Sequence, residues 1–344
     1  MIDCLASYNG TVLDAGWLPY ITCGEALTPS ANKNWPPSGC PNPPLPPNVT
    51  AWPKANALSF PAKLDTGYGP VMTKEQLYAV LSMVWVAENS VADLDGVVPW
   101  YTAYPYIQNI GDGRGYTTNI VGFCSGTGDL PDMLANLQKI EPCNPLVKYL
   151  PDVAALSAAD SPHLTGLKGF AELVVQQGGG PNGNGPINPN YIQATWDTLQ
   201  KDGTDSGYWG TAMAISKKYR LSLPISKGQM YDIALNAGID AVKGLVANLT
   251  VKAPAKWESG GEREVHWLLA LQRSWVNYIA TTPSIDDGQL DRALMWQHLV
   301  DPRNQTLNSK GQVGANNKQR NLQLKLPISV NCYGHVINIR APKA

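Results

Sequence analysis

The stretch Ile110-Gly-Asp-Gly-Arg-Gly-Tyr-Thr117, followed by Gly122-Phe-Cys-Ser-Gly-Thr-Gly-Asp129, is the densest run of specific-looking residues in the chain. Three glycines around Asp112 and Arg114 imply a tight backbone that holds a carboxylate and a guanidinium at fixed aim. The glycines do not make a phosphate cradle. No Lys-Ser/Thr follows, no buried strand precedes, and Asp112 would repel the anion. Residues 91–130 as a whole lack helical period and are dense in Gly, Asp, Tyr and Thr, so they read as loops with short strands, above all over Tyr116 to Phe123.

On either side of this region the texture is helical. Upstream, Thr73 and Gln76 form a capping box, and Met72 with Leu77 supply a hydrophobic staple. Leu77, Val80, Leu81, Val84 and Trp85 then recur at helical spacing, and Glu88 continues that stripe. Downstream, helical stretches are expected over 130–140, 146–158, 164–177, 191–199, 208–219, 227–248, 262–280 and 289–300. The Gly-, Asn- and Pro-rich run 178–189 reads as a surface loop or hinge, and 321–339 as a short hairpin. No repeat of solenoid length occurs. The fold class is therefore mainly α with a small β-containing lobe (α+β) inserted after the first helix.

Glu88 and Asp112 are two carboxylates in contrasting settings. One sits on an apolar helix face, where burial should raise its pKa. The other sits in a polar glycine loop, where Arg114 and backbone donors should hold it ionised. Glycoside hydrolysis needs such a split: a protonated acid for the leaving oxygen and a base for water. The competing reading is a calcium-like Asp/Gly loop beside an unrelated helix-terminal Glu. From Leu81 to Asp160 nine acids face three bases, in a segment rich in aromatic residues. This bias suits a cationic, ring-shaped ligand, and it equally suits a solvated acidic face.

Composition limits the remaining classes. The 344 residues carry 26 Lys and Arg against 27 Asp and Glu, which argues against a nucleic-acid partner. No apolar run reaches membrane-spanning length; the best, Leu77 to Ala87, is broken by Ser82 and stopped by Glu88. With 11 Trp and 15 Tyr against 3 Phe, aromatic surface with polar handles dominates. Trp267, Trp275 and Trp296 fall on helical patterns and read as core, whereas Trp100 and Tyr101 suit sugar stacking and packing equally. Cys124, flanked by glycines and with no His nearby in sequence, reads as a buried thiol.

No Cys-x-x-Cys pair occurs, the four His are scattered and HExxH is absent, so neither metal nor cofactor is expected. Residues 1–70 hold 12 of the 28 prolines and three of the six cysteines, Cys4, Cys23 and Cys40. Such a segment should be irregular, stapled by a disulfide, and hence in an oxidising compartment. Four Asn-x-Ser/Thr sequons, at Asn9, Asn48, Asn248 and Asn304, fit secretion. The N-terminus carries no signal peptide, so a secreted chain would have lost one.

Ala87-Glu-Asn-Ser90, the two glycine-rich motifs, Lys148-Tyr-Leu-Pro151, Met230-Tyr-Asp-Ile233, Gly260-Gly-Glu262, Leu271-Gln-Arg273 and the tail from Asn321 to Ile339 resemble the family 46 chitosanases. The resemblance spans about residues 72–344. It implies a two-lobed, lysozyme-like fold with a substrate cleft between the lobes. It also implies endo-acting, inverting hydrolysis of β-1,4 linkages between glucosamine residues in chitosan.

By this resemblance Glu88 is the general acid, Asp112 the base that activates water, and Thr117 the residue that positions that water. Asp129 would bind a glucosamine amine, with Tyr106, Arg114 and Glu262 as further substrate contacts. Asp232 and Arg273 match a buried ion-pair network that supports the acid. Three departures stand out. Lys252-Ala-Pro-Ala255 lies where the family carries a second network Arg, and a Lys cannot reproduce the bidentate fork. The stretch between Glu88 and Asp112 is lengthened and holds Trp100, Tyr101 and Tyr104. Residues 1–70 resemble no part of the family and are expected to be a stabilising wrap rather than a lid or sugar-binding appendage.

The expectation is a monomer with an irregular extension over 1–70 and a catalytic domain over 71–344, acting on chitosan. The alternatives are a chitinase- or lysozyme-like hydrolase of N-acetylated glycan, and a non-catalytic chitosan-binding protein.

Overall fold

The computed structural model describes residues 27–41, 72–89, 94–109, 111–180, 183, 185–201, 204, 207–282, 288–301 and 320–341. Cys4, Cys23, Asp93 and the sequons at Asn9, Asn48 and Asn304 lie outside the described residues. Tyr101–Leu199 and the described N-terminal residues form one compact unit; the first helix and the chain after Leu199 form another.

Regular structure begins with α1 (Lys74–Glu88), and the expected capping box is present: Gln76 N–H donates to Thr73 Oγ1 and Thr73 N–H to Gln76 Oε1. Its apolar residues are not confined to one stripe; Tyr78, Ala79, Met83 and Val86 are buried as fully as Val80 and Val84. A helix apolar all round becomes a core helix, so α1 is enclosed along its middle and emerges at Lys74 and Glu75 and again at Glu88. The short strand β1 (Asp95–Gly96) follows.

The unit formed by residues 101–199 opens with β2 (Ile107–Gln108), β3 (Thr117–Thr118) and β4 (Phe123–Cys124), an antiparallel sheet in sequential order. Four helices follow: α2 (Asp129–Ile140), α3 (Leu150–Ala158), α4 (Phe170–Gln177) and α5 (Pro189–Leu199). The sequence predicts helix from residue 164. The structure starts it at Phe170, because Gly166 and Gly169 take φ of 84° and 85°, a left-handed conformation that interrupts a helix. The expected helix over 146–158 is likewise a 3-10 turn, Pro145–Tyr149, before α3.

The lengthening between Glu88 and Asp112 is packed away. Trp100, Tyr101 and Tyr104 are buried, and Trp196 Nε1 donates to the Tyr104 hydroxyl at 2.8 Å. The expected disulfide joins Cys40 to Cys143. Around it the Thr28 carbonyl accepts from Lys168 N–H at 3.0 Å, Ser30 donates to Asp152 at 2.5 Å, and Asn32 donates to the Lys148 carbonyl at 3.0 Å. Residues 27–41 are thus strapped onto the start of α3 and the loop before α4.

The second unit continues with α6 (Tyr208–Tyr219), α7 (Pro224–Ala237), α8 (Ile239–Ala247), α9 (Glu262–Thr281) and α10 (Gly288–Val300). What reads as one helix over 227–248 is two, broken at Gly238, whose φ is 89°. The tail forms the expected hairpin, β5 (Ile328–Cys332) with β6 (His335–Ile339), and β1 adds to β6 in parallel. Trp267, Trp275 and Trp296 are buried in this unit's core, as expected. No described helix is long and apolar enough to cross a membrane.

Candidate active site

Glu88 is the last residue of α1, where four carbonyls face outward and the helix dipole is unfavourable to a negative charge. The expectation of a buried acid is not met: 42% of the Glu88 side chain is exposed. What the chain places against it is a cation. Arg292 of α10, 1% exposed, donates from Nη1 to Glu88 Oε1. On its inner side Arg292 donates from Nε to Asp232 Oδ1 at 2.9 Å, with Nη2 2.8 Å from the same oxygen.

Asp232, on α7, is fully buried. Burial pushes its carboxyl up, and the Arg292 charge opposes that rise. Burial alone would lower Arg292, but Asp232 and Glu88 outweigh it and hold the guanidinium protonated. The start of α7 is fixed independently. The buried Glu264 carboxylate accepts from Leu223 N–H at 2.9 Å and from Ser222 N–H at 3.0 Å, an anion at a helix N-terminus.

In the other unit, Gly111, Gly113 and Gly115 all take positive φ, 73°, 89° and 73°. A Cβ on Gly115 would also lie 2.3 Å from Ser125 Oγ, so a side chain there would be both strained and forced to displace that hydroxyl. This backbone folds Arg114 back onto Asp112. Arg114 N–H meets Oδ1 at 3.1 Å, while Nε and Nη2 reach Oδ2 at 2.7 and 2.5 Å. Partial burial favours a higher Asp112 pKa, but the Arg114 hydrogen bonds and charge prevail and hold the carboxyl below its ordinary range. A quarter of the Asp112 side chain is exposed, so it stays reachable.

Thr117 and Asp129 flank this loop from ordered elements. Thr117 is buried in β3 with Oγ1 3.5 Å from Cys124 Sγ. Asp129 opens α2, 8% exposed, and its Oδ1 accepts from Cys124 N–H at 2.6 Å and Leu130 N–H at 3.0 Å. Cys124 is the buried thiol expected, pushed up by burial and by Asp129. Tyr106 is half-buried, its carbonyl accepting from Asn119 N–H at 2.9 Å and Thr118 Oγ1 at 2.7 Å. Among the described residues no group of three or more His, Cys, Asp or Glu is placed to hold a metal ion.

The sequence profile of glycosyl hydrolase family 46 matches residues 82–309, well over half of the chain, and the match takes in both carboxylates. The chain belongs to that family. A Nocardioides chitosanase is 44% identical over 81 residues, which is 24% of this chain and 27% of that relative. The chain therefore matches only about a quarter of that protein's length. A Bacillus subtilis chitosanase is 26% identical over 208 residues, 59% of this chain and 67% of the relative.

Among solved structures, native chitosanase from Bacillus subtilis MY002 superposes with a TM-score of 0.56 at 22% identity, covering 78% of this chain and 100% of that one. A Gynuella sunshinyii family 46 chitosanase in complex with chitotetraose gives 0.57 at 21% identity, covering 78% and 99%. At such identity the likeness establishes the fold, mainly α with small β-sheets, as the sequence predicts.

Within this family 46 chain, the expected supporting network contains Asp232 but not Arg273. Arg273 is exposed on α9, and Lys252, in the loop after α8, is exposed as well; the buried guanidinium belongs to Arg292. Helix α9 turns Trp267, Leu271 and Trp275 inward, which leaves position 273 facing water. The signal for Arg292 is present in the sequence as an Asp291-Arg292 pair, the only acid and guanidinium among the Leu, Ala, Met and Trp residues of 290–296, a place where a charge needs a partner. Glu262 is exposed at the start of α9, and its two oxygens accept from Arg320 Nη1 at 2.7 and 2.9 Å.

Proposed function

We propose that this protein is an endo-acting chitosanase that hydrolyses β-1,4 linkages between glucosamine residues with inversion at the anomeric carbon. Asp112 is the general base and Glu88 the general acid. As water attacks C1, Asp112 takes its proton; as the C1–O bond breaks, Glu88 gives a proton to the leaving oxygen. Family membership and relatives named as chitosanases support the reading. The observation that carries it is the Asp112–Arg114 clamp. A base must be ionised where chitosan dissolves, in mild acid, and a carboxylate held low by a forked guanidinium meets that requirement.

Glu88 acts by aim rather than by burial, its carboxylate oriented by Arg292 at the end of a rigid helix. Thr117 positions the water. Asp129, Tyr106 and Arg114 contact sugar units, and Glu262 joins them by exchanging Arg320 for a substrate amine. Each free amine then gains a carboxylate partner that an acetamide cannot use, which discriminates chitosan from chitin. The catalytic domain is residues 71–344 with an extension over 1–70, and the protein works as a secreted monomer; the Cys40–Cys143 disulfide suits an oxidising compartment.

The test is a reducing-end assay on chitosan and on fully acetylated chitin, with Glu88→Gln and Asp112→Asn as controls and NMR of the first product. Turnover on chitosan alone, loss of most turnover in both variants, and an α-anomeric first product are expected. Faster turnover on chitin, near-wild-type rates in either variant, or a β-anomer would reject the assignment.

A further inference from the structure

The C-terminal hairpin breaks the usual chemistry of its own turn. Cys332 pairs with His335, so Tyr333 and Gly334 form a two-residue turn, and both take positive φ, 53° and 81°. Turns of this kind are made from Asn-Gly, Asp-Gly or Gly-Gly, because a side chain at positive φ is strained. A bulky aromatic residue held in that region is strained and persists only where surrounding contacts impose it. Asn or Gly in place of Tyr333 would make a better hairpin.

The side chain shows what the strain sustains. Tyr333 is half-buried, and its hydroxyl donates to the Ala87 carbonyl at 2.9 Å. That carbonyl belongs to the last turn of α1, where no intrahelical donor remains for it. The preceding Trp85 carbonyl is closed by the backbone and side chain of Asn89, at 3.0 and 2.8 Å. Ala87 immediately precedes Glu88. Strand β5, which leads into the turn, packs on both α1 and α10, the helices that carry Glu88 and Arg292. The phenol lies in the field of Arg292, Glu88 and Asp232, and burial, the leading influence, pushes its ionisation upward, so it remains a donor.

We infer that Tyr333 is a positioning residue for Glu88: by holding the Ala87 carbonyl it fixes the last turn of α1 and thereby the aim of the carboxylate at its end. The inference rests on the reading of Glu88 as the acid. It also gives the tail a function in catalysis, because the hairpin delivers a hydroxyl to a helix residue 246 positions earlier in the chain.

The experiment measures kcat and KM on chitosan, with thermal midpoints, for wild type, Tyr333→Phe, Tyr333→Asn and Glu88→Gln. Tyr333→Phe keeps the ring and removes the donor; its kcat should fall roughly fivefold, the size of one hydrogen bond, with KM within about twofold. Tyr333→Asn places a turn-favoured residue at the strained position and keeps the hairpin folded, yet should lose at least as much kcat. A purely structural tyrosine would leave kcat of the folded protein unchanged in both.

Wild-type kcat in both Tyr333 variants beside an inactive Glu88→Gln overturns the inference and leaves the chitosanase reading intact. A loss confined to KM overturns it as well. An active Glu88→Gln removes the acid assignment, and the role of Tyr333 with it.

Discussion

Replacing Arg292 by Met tests the ionic core of the second unit and separates its structural from its catalytic work. Methionine nearly fills the volume but leaves Asp232, fully buried, without its cation. Breaking a buried pair by removing one partner costs about 3–5 kcal/mol. That cost should depend on pH with a definite sign. Burial already pushes the Asp232 carboxyl up against the pull of Arg292; without the guanidinium nothing comparable opposes it.

A carboxyl whose folded pKa lies above its unfolded value binds protons more readily in the folded state. Its contribution is therefore fully present below about 3.9 and is lost as pH rises toward the folded value, at about 1.4 kcal/mol per unit. Arg292→Met should consequently be markedly closer to wild type at mild acid than at neutrality. Urea denaturation followed by tryptophan fluorescence near the two pH extremes measures this. The double variant Arg292→Met with Asp232→Leu removes both charges and should recover most of the lost stability. Its turnover should nevertheless stay far below wild type, about 100-fold, because Glu88 has lost the group that aims it. Wild-type stability of Arg292→Met at neutral pH, or a penalty that grows toward acid, would refute the argument.

Two further outcomes follow from the unit that carries Asp112. Removing the Cys40–Cys143 disulfide with paired Ser substitutions opens a loop with a sequence separation of 103. Loop-closure entropy sets the loss at up to about 4.7 kcal/mol, and calorimetry should show a fall of at least about 2 kcal/mol; an unchanged midpoint would mean that the strap of residues 27–41 contributes nothing. Arg114→Ala takes away the hydrogen bonds and charge that hold the Asp112 carboxyl low, so that carboxyl rises. The acid limb of the kcat/KM profile should then move to higher pH, and a limb that stays in place would show that Asp112 is not the group titrating there.

What the sequence makes legible is what is local. The start of α1 can be read because the capping box closes within four residues, Thr73 to Gln76. The Asp112–Arg114 clamp can be read because its partners are two residues apart and the glycines between and around them dictate the turn. The tail hairpin declares itself only through the weak alternation of residues 321–339, since its Tyr333-Gly334 turn is not one that sequence favours. Three helices differ in their limits from the sequence pattern because apolar spacing continues through Gly166, Gly169 and Gly238, or through Pro151, where the backbone ends or delays the helix. Arg273 sits in a family-like tripeptide, yet spacing along α9 turns it to solvent. The residue that meets Asp232 comes 60 positions later, and nothing local specifies that pairing.

The two carboxylates illustrate why one site was readable and the other was not. Glu88 stands at the negative end of a buried helix, so its charge is opposed by the very element that aims it. An answering cation must come from elsewhere in the fold, and Arg292 supplies it. A guanidinium so deeply enclosed is itself untenable without an anion on its far side, and this requirement puts Asp232 in the core of α7. One exposed acid thus demands two buried charges from two other helices, a chain of necessity that only the folded structure reveals. Asp112 meets the same demand with a neighbour two residues away, half exposed, on a backbone whose positive φ values strain any side chain. The local solution tolerates little change in sequence and much in surroundings, and the distributed one the reverse. Substitutions near α7 and α10 that preserve the Arg292 fork should therefore leave turnover intact, whereas any side chain at Gly115 should abolish it.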